Sequence, residues 1–68
     1  MNDETFNMSL RKFLKTVGVN SQREIEHAVA EAIEAGRLKG DESFPVTMRL
    51  TDARLGIDVT FDGEIRLE

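Results

Sequence analysis

The sequence contains no cysteine, no tryptophan and no tyrosine, and one proline, Pro45, in 68 residues. Without cysteine there is no disulfide scaffold, no thiolate zinc site and no thiol nucleophile. No stretch approaches the ~18 consecutive apolar residues of a membrane span. The opening Met1-Asn2-Asp3-Glu4 has neither the basic start nor the apolar run of a secretory signal, so a cytoplasmic location is expected. Internal repeats, low-complexity tracts and long linkers are also missing. The expectation is one small domain spanning 1–68, since a domain takes about 100 residues or more.

What is present is charge and a modest apolar content. Thirteen acids and nine bases give a net charge of -4, and 40% of residues are apolar. The charge is uneven. Residues 1–20 carry Asp3 and Glu4 against Arg11, Lys12 and Lys15, a net +1; residues 21–39 hold four Glu against two Arg and one Lys, a net -1. Residues 40–68 hold seven acids against three Arg, a net -4, which repels a phosphate backbone. A chain of ~60–70 residues buries only about 60% of the surface that its unfolded form exposes. With no metal or disulfide to staple it, either one core is filled efficiently or a second copy helps to cover it.

Two helical stripes and three alternating segments organise the chain. Phe6, Leu10, Phe13, Leu14 and Val17 fall within an arc of about 100°, which predicts a first helix over Glu4–Thr16. Asn2 or Asp3 can cap its start, and Gly18 supplies a permissive end. Ser21-Gln22-Arg23-Glu24 reads as a capping box opening a second helix, with a stripe at Ile25, Ala28, Val29, Ala32 and Ile33 and a stop at Gly36. The period then changes to 2. Val46, Met48 and Leu50, then Ile57, Val59 and Phe61, then Ile65 and Leu67 alternate with polar residues, which predicts three strands. Parity sets Leu50 opposite Ile57 and Met48 opposite Val59 across a loop at Asp52–Leu55. A three-residue loop Phe61-Asp62-Gly63, with Gly63 left-handed, would pair Val59 with Ile65. Pro45 discourages pairing at the start of the first strand. The expected fold is α+β, an αα-hairpin packed on one face of a three-stranded antiparallel meander (ααβββ).

Candidate sites are few. His27, the sole histidine, lies on the outer face of the second helix near Arg23 and Glu31, where a solvated charge pair explains it better than a general base. Asp58, Asp62 and Glu64 gather late in the chain, but their spacing does not match a calcium loop, and turn and strand chemistry accounts for them. No metal and no cofactor is expected, and no catalytic residue is assigned. Met8 points away from the first stripe among Arg11, Lys12 and Lys15. These four form the candidate partner surface, a flexible apolar side chain among cations, although a lone exposed Met is also ordinary. Two helices before hairpins suggest a winged-helix DNA binder. Against it stand an acidic second helix, with Glu24, Glu31 and Glu34, and the lack of a third helix.

Three stretches carry a resemblance covering nearly the whole length: Thr5-Phe6-Asn7-Met8-Ser9-Leu10-Arg11-Lys12-Phe13-Leu14-Lys15-Thr16-Val17-Gly18-Val19, Ser21-Gln22-Arg23-Glu24-Ile25-Glu26, and Asp58-Val59-Thr60-Phe61-Asp62-Gly63-Glu64. In these the chain resembles a family of short bacterial proteins of unknown function. The resemblance implies a bacterial, cytoplasmic origin and supplies no activity or site residue. The functional expectation is a small non-enzymatic protein-interaction module, self-associating as a homodimer or binding another protein. The alternative is a nucleic-acid-associated regulator that uses the basic patch of the first helix.

Overall fold

The computed structural model describes residues 1–68. It contains one helix, α1 (Asp3–Glu34), and two strands, β1 (Ser43–Asp52) and β2 (Ile57–Arg66). They fall in two compact units, Met1–Arg37 and Leu38–Glu68. The ααβββ expectation is therefore overturned in both halves: the order is helix, then a single β-hairpin.

In the first unit, helix runs unbroken through the positions expected to form a corner. Asn2 caps α1 from an extended backbone (φ -96°, ψ 106°), its side chain accepting from the Thr5 N–H at 3.0 Å. Asp3 and Glu4 follow in the first turn, where the helix dipole favours anions. Gly18 has no positive φ and is helical. Ser21, expected to cap a second helix, is instead a half-buried interior position. A glycine permits a break without imposing one, and only proline removes the N–H that continuation needs. Continuation is nonetheless costly. Thr16-Val17-Gly18-Val19-Asn20-Ser21 are all weak helix formers, together about 4 kcal/mol less favourable than alanines. The Thr16 hydroxyl donates back to the Lys12 carbonyl at 3.0 Å, satisfying itself within the helix.

The stop at Gly36 is where the sequence places it. Gly36 is left-handed (φ 79°), its N–H donates to the Ile33 carbonyl at 3.1 Å, and the Arg37 N–H donates to the Ala32 carbonyl at 2.8 Å. These are the two bonds of a Schellman cap, which satisfy carbonyls that the helix end would otherwise leave free.

In the second unit, β1 and β2 pair antiparallel along their full lengths, from Ser43 opposite Arg66 to Asp52 opposite Ile57. The expected alternation holds: Phe44, Val46, Met48 and Leu50 share a face with Ile65, Phe61, Val59 and Ile57. Two details differ. Leu50 faces Val59 and Met48 faces Phe61, a register two residues from the expected one, and the loop is Ala53–Gly56. A shift of two residues keeps every side chain on its face, so hydrophobic pattern alone cannot distinguish the two registers. The turn decides. Asp52 Oδ1 accepts from the Leu55 N–H at 3.0 Å, and Gly56 takes the left-handed conformation (φ 64°).

The third strand does not form. β2 continues straight through Asp62-Gly63, and Gly63 is not left-handed. Here Gly63 faces Val46, with the position of its absent Cβ 3.6 Å from Val46 Cγ1. The sequence puts Pro45 at the start of the first strand and predicts little pairing there. In the structure β1 includes Ser43, Phe44 and Pro45, so Phe44 is available to pair with Ile65 and Pro45 with Glu64. A second hairpin is then unnecessary. Both strands of a two-stranded sheet are edges, and an edge strand tolerates proline because alternate N–H groups point away from the partner.

Candidate functional site

The expected partner surface lies on the first half of α1. Met8 is 67% exposed, and Arg11, Lys12 and Lys15 are exposed. None of the three cations makes an ion pair; the protein's two salt bridges are His27–Glu31 and Arg49–Asp58. A shallow open depression of about 250 Å³ beside Lys15 is lined by Thr16, Val19 and Asn20. It offers no cluster of convergent polar groups.

A second surface of α1, read in the sequence as core, has no other element packed on it within its own unit. No residue of the protein is buried. Phe6, Leu10, Phe13, Leu14 and Ile33 are each between 41% and 55% exposed, while Val17, Ile25, Val29 and Ala32 are half-buried. With Phe carrying about 150–250 Å² of surface, the stripe presents roughly 500 Å² of apolar area. Single exposed apolar residues are ordinary, and a patch of about 500 Å² lies within the range of the largest apolar patch on a typical monomer, one that is often functional.

The remaining candidates are structural. His27 Nε2 stands 3.8 Å from Glu31 Oε2 on an exposed face. Asp58 receives two hydrogen bonds from the Arg49 guanidinium, at 2.9 and 2.8 Å. The guanidinium holds the Asp58 carboxyl below its usual range, and the carboxylate raises Arg49. Asp62 accepts from the Thr47 hydroxyl at 2.9 Å across the polar face of the hairpin. Arg49 and Asp58 also border an open depression of about 450 Å³ at the turn, where their charges already satisfy each other. No group of three or more His, Asp or Glu side chains is placed to hold a metal ion.

One structured acid escaped the sequence reading. The Glu42 carboxylate accepts from the Lys39 N–H at 3.0 and 2.9 Å and from the Gly40 N–H at 3.0 Å, with Gly40 left-handed (φ 112°). The available signal was an acid two residues after a glycine. The Lys39 and Gly40 amides hold the Glu42 carboxyl below its ordinary value. A depressed folded-state pKa means stability that is present above the ordinary value of 4.5 and lost as pH falls through the lowered one. Glu42→Gln should therefore weaken the hairpin at neutral pH and leave it little changed in acid. Amide hydrogen exchange at Leu67, whose N–H donates to the Glu42 carbonyl at 2.9 Å, reads this locally. Equal exchange of the two proteins at pH 7 would contradict it.

A family model described as a family of unknown function (DUF6494) matches residues 1–68, so the chain belongs to that family. No curated protein and no solved structure matches it. No helix is long and apolar enough to cross a membrane.

Proposed function

We propose that this DUF6494 member is a non-enzymatic protein-interaction module that works as a homomeric assembly in the cytoplasm, joined through the apolar stripe of α1. The observation that carries the reading is that α1 stands alone in its unit, with no second element there to pack against its apolar stripe. Helical stability in proteins comes mostly from packing an amphipathic face. The weak-forming centre of α1 adds about 4 kcal/mol to what packing must supply. A standard interface buries about 800 Å² per partner, somewhat over half of it apolar. The roughly 500 Å² of exposed stripe has the size of that apolar share.

The nucleic-acid reading rests on Arg11, Lys12 and Lys15 of α1, with Arg37 and Lys39 just past its end. Its winged-helix form required a helical corner, and α1 has none. Light scattering at micromolar concentration tests the assembly: twice the 7.7 kDa chain mass supports it, and a 7.7 kDa particle at every concentration removes it. Capture of labelled duplex at ~50 mM salt would favour the alternative.

A further inference from the structure

We infer that the outer edge of β2 is a docking site for a strand of another protein, an extended segment in which basic and apolar residues alternate. The inference concerns the hairpin and stands apart from self-association through α1.

The backbone supplies the first support. In an antiparallel pair, opposite residues alternate between exchanging backbone hydrogen bonds and turning those groups outward. The Leu67 N–H donates to the Glu42 carbonyl, one step past the Ser43–Arg66 pair. Phe44–Ile65, and every second pair from there to Asp52–Ile57, is therefore a bonded pair. The alternate residues of β1 from Ser43 to Thr51 turn their N–H and C=O groups outward, and Pro45, which has no N–H, falls among them as this phase requires. On β2 the outward groups belong to Asp58, Thr60, Asp62, Glu64 and Arg66. The sheet has two strands, so neither row meets a third. Such a row is a template for strand addition. The rows are unequal: Pro45 interrupts that of β1, and that of β2 is complete.

Charge selects the occupant. The outward residues of β2 carry their side chains on the polar face, where Asp58, Asp62 and Glu64 stand against Arg66, a net -2. Arg49 of β1 is engaged with Asp58, while Asp62 and Glu64 belong to no ion pair. Like charges directly opposite each other across strands are destabilising. A second copy's β2, docked antiparallel, sets acid on acid in every register that aligns three or more outward residues: Asp58 on Asp62 or Glu64, Asp62 on Asp62 or Glu64, or Glu64 on Glu64. A second copy's β1 brings Pro45 to the edge with Arg49 as its one cation. A foreign segment with Lys or Arg at alternate positions places cations beside Asp62 and Glu64, and the acidic C-terminal half of the chain steers it there. Its intervening residues fall on the other face, beside Val59 and Phe61, which are 43% and 61% exposed. Apolar residues at those positions lengthen the apolar face.

The probe is a synthetic peptide that alternates Lys and Val and matches β2 in length, added to the full chain. It should slow amide hydrogen exchange at Thr60, Asp62 and Glu64 about tenfold or more, leave Thr47 and Arg49 unchanged, and bind more weakly at ~500 mM than at ~50 mM salt. A peptide alternating Glu and Val should not bind. Thr60→Pro removes one outward donor at a position of the kind that holds Pro45 in β1, and it changes no charge. It should keep the exchange of Leu67 slow and weaken the Lys-Val peptide about tenfold or more. Glu64→Lys should weaken it likewise, and decides the matter if Thr60→Pro unfolds the hairpin. No protection of β2 at ~50 mM salt, protection of β1 instead, equal binding of the Glu-Val peptide, or unchanged affinity in either folded variant overturns the inference. None of these results bears on the mass of the chain in solution, so self-association fails or survives separately.

Discussion

Phe13→Asp is expected to abolish self-association at micromolar concentration and to remove most of the helical signal with it. Phe13 is 54% exposed in the single chain. A substitution at so open a position would ordinarily be worth within about 0.5 kcal/mol. In the proposed assembly it lies in the apolar seam, and each dimer would carry two such carboxylates there. Losing the aromatic contact costs about 3 kcal/mol or more, and each unpaired charge adds to it, so the dissociation constant should rise over a hundredfold. Met8→Gln is the control. Met8 is more exposed than Phe13, at 67%, but lies on the opposite face. Its replacement should leave both mass and helicity unchanged. Equal effects of the two substitutions would show that the stripe has no partner.

Gly18→Ala is expected to stabilise the protein, and Gly18→Pro to disrupt it. In a continuous helix an alanine at this position gains about 1 kcal/mol over glycine. The structure leaves room, since a Cβ at Gly18 meets nothing within 4 Å. Proline removes an interior hydrogen bond and costs about 3 kcal/mol or more. A helical corner predicts the opposite order for alanine, because a left-handed glycine is strained by any Cβ. Thermal melting of the two variants beside the parent, at equal chain concentration, distinguishes these cases. A destabilised alanine variant would restore the two-helix reading.

Local chemistry was legible in the sequence and continuity was not. The stop at Gly36, and a cap at Asn2 or Asp3, were legible from residue type because each involves only neighbours three to five positions away. Strand faces were read from alternation, since parity fixes the face whatever the partner. The failures share one cause. Gly18 with Ser21-Gln22-Arg23-Glu24, and Asp62-Gly63, are break signals, yet a break signal states only what the backbone is permitted to do. Whether α1 bends at Gly18, or β2 turns at Gly63, depends on what packs elsewhere. Phe44, ahead of Pro45, occupies the place opposite Ile65 that Val59 would have filled in a meander. The candidate surface at Met8, Arg11, Lys12 and Lys15 was visible as composition. A sequence pattern marks the adjoining stripe for burial without naming what buries it.

The central claim is that α1 keeps its form through contact with another copy of the chain. Its most direct test is a dilution series from ~100 µM to ~100 nM, with far-ultraviolet circular dichroism and sedimentation recorded on the same samples. Mass and helicity should fall together, along one curve, from twice 7.7 kDa toward a weakly helical single chain. Full helicity in a 7.7 kDa particle across the whole series would contradict the claim.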